Sequence, residues 1–331
     1  MFQKIVVPLD GSERAERAVP IAARIARSTG ASLILVRVVY PPIRYASYTY
    51  MLITPEEFYS EVAEEEVEVA RNYLRRVAMS EPLAGIEVEI HTVASPIVAE
   101  AILETAQKTQ SNLIILCSHG YTGLKRWALG NVAQKLTRHS AIPVLVLREK
   151  SDGQEQLYTT NPQTVHVLIA LDGSPLSETA IEPAIHLGVA LSVPEHIVVN
   201  LVQVLALQEV TGIMKIYEAP AAARERFIAE TQAYLEEVKK KILTGNPTYR
   251  NLTVTTEVLV HDDVAGALVE REHPTNAGTQ TPNASECFDM MALTTHGRSG
   301  LQRWALGSIA ERVLNATKLP LLIVHPDSKQ I

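Results

Sequence analysis

Short runs of Val, Ile and Leu recur along the chain, and between them lie longer stretches in which apolar residues return every three or four positions. The first kind of run reads as a strand buried on both faces, the second as a helix with one apolar stripe. Strands are predicted over 4–9, 32–39, 87–93, 112–117 and 143–147, and again over 165–171, 196–204, 252–260, 289–294 and 320–325. Helices are predicted between them. The stretch 13–28 carries Ala18, Ile21, Ala22 and Ile25 on one face, and 96–109 carries Ile97, Ala101, Ile102 and Ala106. A long helix over 56–79 is rich in Glu early and Arg late, which suits the helix dipole and leaves a solvated charged face. Strands alternating with helices specify βαβ units, whose right-handed crossovers lead to an open, doubly wound parallel sheet.

The pattern occurs twice. Ile5-Val6-Val7-Pro8-Leu9-Asp10-Gly11-Ser12 returns as Val167-Leu168-Ile169-Ala170-Leu171-Asp172-Gly173-Ser174. His119-Gly120 followed by Arg126-Trp127-Ala128-Leu129-Gly130 returns as His296-Gly297 followed by Arg303-Trp304-Ala305-Leu306-Gly307. The offset grows from 162 residues at Asp10 to 177 at Gly120, so the second copy holds 15 extra residues, placed in the polar, Pro- and Asn-containing stretch near 273–287. The polar stretch 149–163 reads as a linker. Two α/β domains follow, 1–148 and 164–326.

Composition narrows what such domains can do. The 331 residues are 47 % hydrophobic and 20 % charged, an ordinary globular balance with material for two cores. A net charge of −7 without a long basic run opposes a phosphate backbone, so nucleic acid is not an expected partner. Charged residues or prolines interrupt every apolar stretch before the ~20 residues a membrane span needs, so no membrane is expected either. The N-terminus opens directly on a strand, with no export signal. Cys117 and Cys287 stand far apart and outside any paired spacing, which argues against a disulfide framework and a zinc site. Cytoplasm is the expected location.

Doubly wound sheets take ligands at the carboxyl ends of their strands, where the strand order reverses. Two features of each copy fall there. Asp10 and Asp172 close the first strand, where a carboxylate can accept hydrogen bonds from ribose hydroxyls or simply hold an Asp-Gly-Ser turn. The loop after the fourth strand runs from Gly120 to Gly130-Asn131, and from Gly297 to Gly307-Ser308. Glycines let phosphate oxygens reach the main chain, and a helix opening at that point aims unpaired N–H groups at them. The spacings Ser308 to Glu311 and Asn131 to Gln134 also allow a capping box that needs no ligand. Neither GxxxxGK[ST] nor GxGxxG occurs at these loops, and His119 and His296 have no acidic partner or metal-ligand spacing. No catalytic or metal-ligating residue is therefore assigned. Trp127 and Trp304 read as core or interface anchors, and the Tyr-rich stretch 40–55 as a surface connection.

Gly-x2-Gly-x9-Gly-Ser/Thr after a fourth strand, with Asp closing the first, resembles the ATP-binding universal stress proteins, and the likeness spans nearly the whole chain in two copies. The resemblance implies two five-stranded parallel sheets of order 3-2-1-4-5, the adenine nucleotide alpha-hydrolase-like fold. It implies ATP, ADP or AMP as the ligand, with any Mg²⁺ carried on the phosphates. Asp10 and Asp172 would then face the ribose, Val38 and Val204 the adenine, and Gly120, Gly130, Asn131, Gly297, Gly307 and Ser308 the phosphates. Cys117 and Thr294 stand where the motif has its first glycine, and Asn131 where it has Ser or Thr, so the second copy is expected to bind more tightly. The role implied is regulatory binding in a stress response, with at most very slow ATP hydrolysis; the alternative is a nucleotide-independent scaffold. The apolar fifth strands at each sheet edge are expected to pair and make the chain an internal dimer, with further homo-oligomers left open.

Overall fold

The computed structural model describes residues 2–40, 55–118, 130–148, 164–192, 196–206, 221–245, 251–272, 288–295 and 306–326. It divides into two compact units, Met1–Leu136 and Thr137–Ile331.

The first unit holds β1 (Lys4–Pro8), α1 (Glu13–Glu16), α2 (Ala18–Thr29), β2 (Ser32–Val39), α3 (Pro55–Ala78), β3 (Val88–Ala94), α4 (Val98–Lys108) and β4 (Leu113–Cys117). Every pairing is parallel, in the order β3-β2-β1-β4. Ile5 pairs with Leu33 on one side and Leu113 on the other, and all three are fully buried. The two-sided burial explains why these strands read as continuous apolar runs.

One helix was expected over 13–28, but the chain breaks at Arg17. Pro20 is the cause: it has no N–H for the carbonyl of Glu16, and its ring crowds that carbonyl. The short α1 is capped by Ser12, whose hydroxyl accepts from Ala15 N, and α2 ends at Gly30 in the left-handed conformation (φ 72°). The second copy repeats the device, with a 3₁₀ turn over Ser177–Ala180 ahead of the helix that contains Pro183.

α5 (Asn131–His139) runs across the division between the units. The second unit then holds β5 (Val144–Leu147), β6 (Thr164–Leu171), α6 (Ile181–Leu191), β7 (His196–Leu205), α7 (Ala221–Gly245), β8 (Leu252–Val260), α8 (Val264–Glu270), β9 (Met290–Thr294), α9 (Ser308–Ala316) and β10 (Leu321–Val324). The strands of the second repeat lie in the order β8-β7-β6-β9-β10, all parallel. That sequence corresponds to 3-2-1-4-5.

The strand that closes the first repeat belongs to this unit. β5 lies antiparallel on β10, with Leu321 opposite Val146, Leu322 opposite Leu145 and Ile323 opposite Val144. All eight residues of the two strands are buried. Arg138 at the end of α5 pairs with Glu311 on α9, and the Arg148 guanidinium donates to the Leu314 carbonyl. No helix among the described residues is long and apolar enough to cross a membrane.

Candidate functional site

The last residue of β6 leads into Asp172, and Gly173 at φ +82° turns the chain away from the sheet. Asp172 Oδ1 accepts from Ser174 N (2.9 Å) and Ser174 Oγ (2.6 Å), and Ser174 Oγ accepts in turn from Ser177 N (3.2 Å). The first copy has the same turn. Gly11 sits at φ +86°, and Asp10 Oδ1 accepts from Ser12 N (2.9 Å) and Ser12 Oγ (2.6 Å). Both aspartates therefore hold an Asp-Gly-Ser turn. A carboxylate offers about four lone-pair sites, and the turn draws on one of its two oxygens.

The fourth strand supplies the opposing wall. Gly307 N donates to Thr295 O (2.8 Å), and the first bond of α9 runs from Glu311 N to Gly307 O (2.8 Å). The amides of Ser308, Ile309 and Ala310 thus precede any intrahelical acceptor, at the positive end of the helix. Gly307 is the N-cap and no side chain caps the helix, so the Ser308–Glu311 capping box does not form. Glu311 instead pairs with Arg138. A Cβ on Gly307 would stand 3.1 Å from Thr295 O, a main-chain atom that cannot swing aside. In the first copy Gly130 N donates to Ser118 O (2.8 Å) and Gln134 N to Gly130 O (2.9 Å), which sets the amides of Asn131, Val132 and Ala133 in the same relation.

A cleft of about 200 Å³ opens between these features in the second unit. Leu171, Val204, Leu205, Val264, Leu268 and Leu293 give it an apolar wall. Asp172, Ser177, Gln203, Thr294, Thr295, Gly307 and Ser308 give it polar positions. Thr294 is 8 % exposed and lines the cleft, so the side chain at the motif's first-glycine position narrows it without closing it. Asp172, Val204, Gly307 and Ser308, all expected at the site, come together here; Gly297, with His296 and Trp304, lies outside the described residues.

In the first copy Asp10, Val38, Gly130 and Asn131 hold the matching places at strand ends and at the helix start, while Gly120, His119 and Trp127 lie outside the described residues. So do the linker, the insertion over 273–287 and most of the Tyr-rich stretch. One local difference separates the copies. The Arg37 guanidinium stacks over the Tyr73 ring at 4.7 Å and packs on the turn, its Nη1 2.9 Å from where a Gly11 Cβ would be. The second copy has Gln203 at that register: Gln203 follows Val202, the partner of Ala170, as Arg37 follows Val36, the partner of Pro8.

Beneath the second turn, Tyr234 OH donates to Glu178 Oε1 (3.1 Å). Burial and the adjoining Glu178 charge raise its phenol above the ordinary tyrosine range. Sequence reasoning missed Gln203, Ser177 and the α8 wall. A signal for Gln203 was present, since it is the polar residue inside the run Leu201-Val202-Gln203-Val204-Leu205. Among the described residues no group of three or more His, Cys, Asp or Glu is placed to hold a metal ion.

The sequence profile described as "Universal stress protein family" matches residues 1–148 and again 164–325. The chain belongs to the universal stress protein family. A universal stress protein of Mycobacterium tuberculosis H37Rv is 25 % identical over 97 % of this chain and 96 % of its own length, so the tandem arrangement is shared. Universal stress protein YxiE of Bacillus subtilis is 30 % identical over 45 % of this chain and 100 % of its own length, a relative the size of one copy. The crystal structure of a universal stress protein from Archaeoglobus fulgidus superposes with a TM-score of 0.61 at 16 % identity, covering 98 % of both chains. It shows the shared fold. Within that fold the universal stress protein's Asp172 turn and the start of α9 at Gly307 bound the cleft of the second copy, and the Arg37 contact distinguishes the first.

Proposed function

We propose that the second copy binds an adenine nucleotide, ATP or its di- or monophosphate, as a regulatory ligand. The observation that carries this reading is one cleft lined at once by a strand-end carboxylate, an apolar wall and the open first turn of a helix. In this reading the purine lies against Val204, Leu205 and Leu268. Asp172 accepts from the ribose hydroxyls, and the amides at Ser308 and beyond receive phosphate oxygens, where the helix dipole favours negative charge. Gly307 keeps the approach open; its own N–H is committed to Thr295, so its contribution is space. Mg²⁺ would ride on the phosphates. The role in this reading is binding rather than turnover. In the first copy Arg37 crowds the turn, and weaker binding is expected there.

Isothermal titration of the full chain with ATP tests the proposal. Gly307→Ala, the smallest side chain at this position, should lower the affinity of the stronger site about tenfold or more. Because its Cβ presses on Thr295 O, the melting temperature of the ligand-free variant is taken beside it, and a loss of affinity in a protein that still melts as a folded chain is the expected result. A wild-type titration without heat or saturation would leave the nucleotide-independent scaffold as the function.

A further inference from the structure

Gln203 is 3 % exposed, its Oε1 is buried, and that oxygen has no hydrogen-bond partner among the described residues. A buried acceptor without a donor is unfavourable by about 1–3 kcal/mol, so a glutamine kept in this state calls for a reason. Its place gives one. Gln203 lines the cleft on the strand that also supplies Val204 and Leu205 to the apolar wall, and its register partner is Leu171, the residue before Asp172. A flat ring entering the cleft would meet this residue in the lining. The terminal torsion of glutamine is soft and nearly two-fold, so the oxygen can turn toward a donor entering the cleft while the stem stays packed.

We infer that Gln203 is the base-reading residue of the second copy, its carboxamide oxygen accepting a hydrogen bond from the exocyclic amine of a 6-aminopurine. The inference rests on the nucleotide reading above and adds to it a side chain that selects the base. Glutamine suits the task, because its amide can pair an acceptor with the amine and a donor with a neighbouring ring nitrogen. The first copy cannot read the base in this way: Arg37 stands at the same register and has donors only.

The test uses the full chain, with ATP and its 6-deaminated analogue, purine riboside triphosphate, which keeps shape, ribose and phosphates and lacks only the amine. Affinities are measured by titration for the wild type, Gln203→Met and Gln203→Leu, and the melting temperature of each protein is taken without nucleotide. The wild type should prefer ATP about tenfold or more, the cost of leaving a buried acceptor unpaired. In Gln203→Met the preference should fall below about threefold, through loss of ATP affinity with analogue affinity retained, as expected when one hydrogen bond is removed. The ligand-free variant should melt at or above the wild-type temperature, because an unsatisfied polar group has been replaced by an apolar one of similar length. Gln203→Leu should repeat the result.

Equal wild-type affinity for the two nucleotides would overturn the inference and leave nucleotide binding standing. So would a preference for ATP that survives in both variants. Loss of affinity for both nucleotides together with a lower melting temperature in both variants would show a packing role instead. A wild type that binds neither compound would remove the nucleotide reading itself and this inference with it.

Discussion

Glu272→Ala should destabilise the second unit by about 2 kcal/mol or more, the cost of leaving a buried hydroxyl and a main-chain amide without their acceptor. Glu272 is 1 % exposed. One of its carboxylate oxygens accepts from Thr317 Oγ1, and the other from Lys318 N at 3.1 Å. Its charge also supports Arg148, whose Nε is enclosed without a partner among the described residues and whose guanidinium burial pulls down to about 10. Alanine would strip acceptors from a hydroxyl and a main-chain amide and leave a guanidinium in the interior without its counter-charge. Denaturant unfolding of the full chain reads the effect as a lower midpoint. Combining Glu272→Ala with Arg148→Met should restore part of the loss, since the cost of an isolated charge then disappears. A double variant as unstable as the sum of the two single ones would place the effect in packing and not in charge.

The largest effect on binding is expected at Asp172→Ala. The proposed nucleotide loses a charge-assisted acceptor for its ribose, worth about 1.5–3 kcal/mol, or roughly tenfold to a hundredfold in affinity. The turn loses the bonds from Ser174 N and Oγ as well. Asp172→Asn separates the two contributions, because its amide oxygen can keep the turn while the negative charge is gone. Its affinity should lie between those of the wild type and Asp172→Ala. Asp10→Ala breaks the matching turn in the first copy and should give the smaller loss, because the Arg37 side chain already packs on Gly11. Titration of the three variants with ATP checks the ranking, and an equal or greater loss in Asp10→Ala would reverse the assignment of the stronger site.

Much of the scaffold was legible because the central strands β1, β4, β5, β9 and β10 are buried on both faces and carry nearly uninterrupted apolar runs, whereas β3 and β8 at the outer positions are more exposed and mix polar residues in. β2 and β8 begin and end where expected, and β7 runs one residue further, to Leu205. The break at Arg17 was legible in principle, since Pro20 stands where the missing N–H matters. It was missed because the apolar periodicity continues through it. The candidate site was legible as far as glycines and aspartates mark turns. Sequence cannot show where main-chain amides spend their hydrogen bonds, so the commitment of Gly307 N to Thr295 O and of Gly130 N to Ser118 O became visible only with the fold. Gln203 shows the same limit. A polar residue in an apolar run reads equally as an exposed edge position or as a buried one, and only the packing of α8 and the turn after β6 makes it face a cleft.

The antiparallel seam of β5 on β10 has a bearing on how the gene can be cut. A fragment beginning at Thr164 retains the whole second repeat yet loses the strand that covers Leu321–Val324, and the bared main chain would seek another copy of itself. The natural breakpoint for an autonomous C-terminal piece lies upstream of residue 144, inside the earlier repeat, so the boundary of duplication and the boundary of self-sufficiency fall at different places along the chain.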